Sequence, residues 1–261
     1  MGQPLAVITG DVHHPLTSSA WDQREAEYAL RYVRVALDEG VKVTLFVTGK
    51  CVEENGDIFA EIKRDAGGMV EFGGHTYSAF IDIRPAVVSK AVHLLFKHSV
   101  GSLYGPAWYQ RRDIMRTIKA FERVLGIRIR VWRTHFYASN RVTYRLLNDL
   151  GFIAVSDKRL LMLFKVKREL GNLWHVYITA PPDGVIDPND PTWNEEWKES
   201  FWNYVRAEAD RGASMVFNLH PKRMAMLDDF STFRSLLRFL ADRGYRFVTM
   251  SEAVTVARHG V

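Results

Sequence analysis

The strongest constraint on the fold is a regular alternation of short apolar runs with amphipathic stretches along all 261 residues. Leu5–Thr9, Val41–Val47, the run entering Gly73-Gly74, Ile129–Arg133, Phe152–Val155, Leu173–Thr179, Ser214–Leu219 and Tyr245–Val248 have strand length and strand composition. Helical spacing separates them. Ala26, Ala29, Leu30, Val33 and Leu37 recur at i, i+3, i+4 and i+7 before Gly40, and Ile114, Ile118, Phe121 and Leu125 share one face before Gly126. Further helices are expected over Asp57–Ala66, Pro85–Lys97, Asn140–Gly151, Trp193–Arg211 and Asp229–Arg243, and from Ser251. Turn-rich, aromatic Ser99–Tyr109 reads as a loop over a site, and APPDGVIDPNDP as a second loop. No composition break divides the chain, so one domain over 1–261 is expected. Strands that alternate with helices imply parallel βαβ units, and about eight strands favour a barrel over a doubly wound sheet.

In parallel α/β folds the carboxyl ends of the strands share the face where active sites form. The unusual polar residues fall there: Asp11, His13 and His14; His75; Arg133 and His135; Asp157; and His220. Asp11 with His13 and His14 has the donor types of a divalent-metal site, and Asp11 could also serve as a general base. Taken alone, the same residues would make an ordinary solvated turn. His75 is presented by a strand ending in Gly-Gly, where backbone can approach a ligand closely. His220 is placed for a general acid, and either histidine could equally be structural. Arg133 needs a counter-charge if buried, and Asp157 at the next strand end is the expected partner. His135 reads as a substrate contact. Tyr77, Trp108 and Tyr109, with Phe136, read as an aromatic floor for a sugar ring or as ordinary packing.

Composition narrows the classes. Charged content of 25% and hydrophobic content of 47% exclude a disordered chain. The net charge of +5 favours anionic ligands, a phosphorylated substrate or peripheral contact with an anionic membrane, against the plain alternative of a basic solvated surface. Lys and Arg are scattered rather than gathered, which argues against nucleic acid. The single cysteine, Cys51, excludes an internal disulfide and a cysteine-rich zinc site. With no signal-peptide pattern and no run of membrane-span length, the expected location is cytoplasmic.

These segments, in this order, resemble the polysaccharide deacetylases, carbohydrate esterase family 4. VITGDV resembles the first aspartate motif, VTLFVTG the second strand and GGHTYSA the histidine motif. VWRTHFYASN stands where the family has its arginine motif, and MVFNLHP resembles the closing Leu-x-His-Pro motif. The resemblance implies a distorted parallel (β/α) barrel of about seven strands and a divalent metal, zinc by expectation. It makes Asp11 the catalytic base, His75 a metal ligand, His220 the general acid, Arg133 the residue that tunes the base and Asp157 a supporting acid. The chain departs from the pattern at Val12 and Ala79, where relatives place two further metal ligands. His13 or His14 stands near enough in sequence to replace one of them. The implied activity is metal-dependent hydrolysis of a non-peptide carbon–nitrogen bond, as an N-deacetylase of an amino sugar in a nucleotide-linked, lipid-linked or small soluble glycan. Two alternatives stay open: a cyclic-amide or formamide hydrolase of the same fold, and a carbohydrate-binding pseudoenzyme.

Overall fold

A computed structural model describes residues 2–79, 104–160, 163–184, 186 and 191–259. The chain runs β1 (Leu5–Val12), α1 (Ala20–Gln23), α2 (Glu25–Asp38), β2 (Val43–Val47), α3 (Gly49–Glu54), α4 (Gly56–Ala66), β3 (Val70–Gly74), α5 (Ala107–Leu125) and β4 (Val131–Trp132). It continues as α6 (Arg141–Asp149), β5 (Ala154–Val155), β6 (Val166–Leu170), β7 (Leu173–Val176), α7 (Pro191–Asp210), β8 (Met215–Leu219), α8 (Pro221–Asp228), α9 (Ser231–Asp242), β9 (Arg246–Phe247) and α10 (Met250–His259). The sheet order is β6-β7-β5-β4-β3-β2-β1-β8, with β9 beside β1. Every pairing is parallel except that of β6 with β7.

Both faces of the curled sheet are covered. β1 and β2 are buried at every position, which is why they read as unbroken apolar runs. Ala6, Ile8 and Val12 join the helices in one cluster. Val7, Phe46, Val131, Ala154, Val176 and Val216 point the other way and fill the interior, with Val248, Met250, Ala253 and Val254 packed among them. The curl nearly closes: the N–H groups of Thr179 and Ala180, just beyond β7, donate to the Val216 carbonyl of β8 at 3.1 and 3.2 Å. The result is a curled, mostly parallel half-barrel with its strand ends gathered at one mouth. Among the described residues, no helix is long and apolar enough to cross a membrane.

All eight expected strands are present, most of them shorter than their apolar runs. The exception to the parallel expectation is β6, whose VKREL is largely exposed and pairs antiparallel with β7 across the Gly171-Asn172 turn. Helix α5 starts at Ala107 rather than Asp113, so Trp108 and Tyr109 belong to its first turn and not to a loop. The expected helix Pro85–Lys97, and residues 99–103 of the expected loop, lie outside the described residues. Pro221, directly after His220, opens the short helix α8.

The Asp157–Arg133 pairing does not form. Ser156 faces Arg133, and the next side chain along an extended backbone points the opposite way. Asp157 turns instead to buried Tyr144 and His175. It accepts the Tyr144 hydroxyl at 3.2 Å and stands 3.2 Å from His175 Nε2 without hydrogen-bond alignment. Burial pushes the Asp157 carboxyl up from 3.8 to about 6, against the pull of the Ser139 and Tyr144 hydroxyls and Lys158. Burial, with Lys158 and Arg133 nearby, pushes His175 down from 6.5 to about 3. At neutral pH the contact therefore joins a carboxylate to a neutral imidazole.

Two predictions follow from this packing. A Cβ on Gly73 would lie 2.6 Å from Phe46 Cδ1, and one on Gly74 would overlap the Trp132 ring, whereas a Cβ on Gly68 would meet nothing. Gly74→Ala is expected to lower stability by about 1–3 kcal/mol in urea unfolding, and Gly68→Ala to leave it within about 0.5 kcal/mol. Equal effects would refute the packing account. The second concerns pH. A carboxyl raised on folding contributes stability below its unfolded pKa that is lost as pH rises through its folded value, here between pH 4 and 6. The rise from 3.8 to about 6 is worth roughly 3 kcal/mol. His175 acts with the opposite sign, because a depressed imidazole loses stability as pH falls from 6.5 toward 3. Asp157→Asn removes only the first contribution, so its stability relative to the parent is expected to climb by roughly 2 kcal/mol from pH 4 to 6. A pH-independent difference would contradict this.

Candidate active site

Arg133 immediately follows β4 and is wholly buried, so its charge must be met inside the protein. Its Nη1 donates to Asp11 Oδ1 at 2.7 Å, Thr9 Oγ1 at 2.8 Å and Asn218 Oδ1 at 2.9 Å. Its Nε donates to the Ser156 carbonyl at 2.7 Å and its Nη2 to Ser156 Oγ at 2.9 Å. The guanidinium lies 4.3 Å from the centre of the Phe46 ring. Burial alone would raise the Asp11 carboxyl, but Arg133, His75 and His220 outweigh it and hold the group below the usual aspartate range.

Three histidines from three strand ends converge beside Asp11. His13 Nε2 lies 3.1 Å from His75 Nε2 and 3.1 Å from His135 Nδ1, and the last two nitrogens are 3.3 Å apart. His75 Nδ1 faces the Arg133 carbonyl oxygen at 2.8 Å. A carbonyl only accepts, so Nδ1 carries the proton and the neutral ring turns the lone pair of Nε2 toward the other two. Burial depresses His13 and His75, and for His13 the charges of His220 and Lys222 add to the effect. Tetrahedral zinc bound to nitrogen at about 2.0–2.1 Å would set its ligand atoms roughly 3.3 Å apart. The three nitrogens already have that spacing, so the donor set fits such an ion.

The loops that carry these rings are strained. Thr76 and Ala79 after His75, and Phe136 and Tyr137 after His135, adopt φ between 49° and 66° without being glycine. Thr76 Oγ1 accepts the Ala79 N–H, and the Tyr137 hydroxyl accepts from Asn218 Nδ2.

His220, at the end of β8, stands with its ring 5.8 Å from that of His13. Its Nδ1 lies 2.6 Å from Asp183 Oδ1, and its backbone N–H donates to Asp183 Oδ2 at 2.6 Å. Burial disfavours the imidazolium, but Asp183 and Asp11 override it and raise His220 above the ordinary histidine value.

The sequence reading missed several of these partners. Asp183 lies in the proline-rich loop, where an acid is unremarkable. Asn218 is an interior residue of β8, and its only signal is an amide in an otherwise apolar strand. His135, expected at the substrate, has its ring against His13 and His75. His14 does not join them: its backbone N–H donates to Thr48 Oγ1 at 3.0 Å, and its ring Nδ1 faces the same hydroxyl. The aromatic floor is not assembled as expected either. The Tyr77 hydroxyl donates to Glu53 at 2.7 Å while its ring lies 3.6 Å from Arg116. Trp108 is 67% exposed and meets Tyr109 edge-on. Phe136 lies at the site, 62% exposed with its ring 4.1 Å from that of His135. Cys51 is buried, which pushes its thiol well up, as suits a structural residue.

No curated protein matches the sequence. Several solved structures share the fold. A Mycobacterium smegmatis protein provisionally named a polysaccharide deacetylase is 17% identical, with a TM-score of 0.79 over 99% of this chain and 92% of its own. A carbohydrate esterase family 4 pseudoenzyme from Bacillus anthracis is 14% identical, with a TM-score of 0.57 over 97% of this chain and 66% of its own. A family 4 carbohydrate esterase from Streptomyces lividans, solved with acetate, is 15% identical, with a TM-score of 0.54 over 94% of this chain and 91% of its own. At such identities the likeness concerns the fold. The profile described as "Polysaccharide deacetylase" matches residues 10–155, more than half of the chain and a span that contains Asp11, His13, His75, Arg133 and His135, so this chain belongs to the polysaccharide deacetylase family.

Proposed function

We propose that the chain is a metal-dependent N-deacetylase of an amino sugar. The observation that carries this reading is the meeting of three imidazole nitrogens at 3.1–3.3 Å, with Asp11 beside His75 and His220 beside His13. His13, His75 and His135 would hold the ion, and three nitrogen donors at tetrahedral spacing favour zinc or a similarly borderline metal over magnesium or calcium. When bound, a divalent ion supplies Lewis acidity toward the amide carbonyl and a more acidic water.

The remaining chemistry falls to the chain's own residues. Arg133 occupies Asp11 Oδ1 and keeps the carboxyl ionised, which leaves Oδ2, 3.9 Å from His75 Nε2, to take the proton of the attacking water. Asp183 engages His220 Nδ1, so Nε2 is the atom that delivers a proton to the departing amine. The exposed Phe136 ring offers a face against which a sugar can stack. The net charge of +5 suits a phosphorylated form of that sugar, nucleotide-linked or lipid-linked, in a cytoplasmic setting. Residues 1–261 would act as one catalytic domain.

Val12 and Ala79 favour a second reading, a carbohydrate-binding pseudoenzyme, and one structural relative is described as a pseudoenzyme. Binding alone gives no reason to keep a buried Asp11–Arg133 pair beside an Asp183-backed His220. Zinc-loaded protein is expected to contain one ion per chain, lost on His75→Ala, and to release acetate from an N-acetylated amino sugar. Asp11→Asn is expected to slow that release by about 10²–10⁴-fold with the metal retained. Metal retention without acetate release from any acylated amino sugar tested would support the binding reading. Turnover of a cyclic amide with no metal dependence would support the other hydrolase.

A further inference from the structure

A buried charged cluster that the proposed reaction does not use lies behind His13. Glu25, the first residue of α2, is only 3% exposed. Its Oε1 is 3.1 Å from Lys222 Nζ and 4.0 Å from His13 Nδ1, and its Oε2 is buried with no hydrogen bond among the described residues. Lys222 Nζ also bonds Asp22, which accepts the Thr17 hydroxyl as well. Among the described residues, two carboxylates thus share one ammonium, and burial pushes the Glu25 carboxyl up against the pull of Lys222 and His220. Burying an uncompensated carboxylate is costly, so its presence calls for a cation nearby.

A place for a further cation lies across the His13 ring. With Nε2 given to a metal shared with His75 and His135, the proton of neutral His13 would sit on Nδ1, on the side of Glu25. Three neutral imidazoles bring no negative charge to a divalent ion, and a carboxylate behind one of them supplies it through the ring. We propose that Glu25 is a positioning residue for the metal: it holds the proton on His13 Nδ1, orients Nε2 and adds a negative charge to that of Asp11. This inference rests on the three-histidine metal reading given above.

Zinc affinity, measured by chelator competition at fixed pH, tests the proposal. Glu25→Gln is expected to weaken zinc binding by about 10–100-fold and to shift the visible absorption of the cobalt-substituted protein. Glu25→Asp, which keeps the charge, is expected to recover part of the affinity. Lys222→Met leaves the carboxylates unshared and is expected to bind zinc at least as tightly as the parent, which provides an independent arm if Glu25→Gln folds poorly. Parental affinity in Glu25→Gln, or equal weakening in Glu25→Gln and Lys222→Met, would overturn the proposal in favour of a packing role. The underlying reading fails separately: parental zinc affinity in both His13→Ala and His75→Ala would remove the site itself.

Discussion

The buried guanidinium of Arg133 is the interaction on which the rest of the site depends. A charge with no exposure has to be met from within, and the groups that meet it come from β1, from the end of β5 and from β8. Those contacts draw the strand ends of a curled sheet toward one point. The same residue acts through its backbone: its N–H donates to the Gly74 carbonyl at 3.0 Å, and its own carbonyl fixes the proton of His75 on Nδ1. One position therefore sets the ionisation of Asp11 and the tautomer of His75. Packing makes room for this arrangement, since Gly73 and Gly74 admit the Phe46 and Trp132 rings against β3.

Strain is concentrated where the histidines are presented. Of the six described non-glycine residues with positive φ, four follow His75 or His135 within four positions. Such conformations cost of order 1–3 kcal/mol each and persist only where their surroundings enforce them. Here the Thr76 hydroxyl accepts the Ala79 N–H, Trp132 Nε1 donates to Thr134 Oγ1 at 2.9 Å, and Asn218 reaches across from β8 to Tyr137. Asn218 thus serves both the guanidinium and the strained turn, so β8 supports the site from beneath as well as supplying His220 at its end.

Much of the fold was legible because buried parallel strands announce themselves as apolar runs. β6 was not, because an exposed edge strand with three consecutive charged residues carries no such signal. Within the site, a period of two decides what sequence proximity could not. Thr9, Asp11 and His13 share one side of the extended chain, where Thr9 and Asp11 meet Arg133 and His13 meets His75. Val12 and His14 point the other way, Val12 into the core beneath the helices and His14 to Thr48. The same alternation separates Ser156 from Asp157. His135 lay beyond such reasoning: sixty residues separate it from His75, and only the adjacency of β3 and β4 brings the two rings together.

That adjacency changes how the site is coupled. Where relatives are expected to draw a second ligand from the loop after β3, this chain has a buried alanine there and a histidine in the loop after β4. His135 is two residues from Arg133, so in the proposed reading a metal ligand and the residue that keeps Asp11 ionised share one short turn. A displacement of that turn would disturb the ion and the base together. The strain at Phe136 and Tyr137, and the hydrogen bonds that hold it, then have a physical purpose: they keep rigid a segment on which two halves of the chemistry rely.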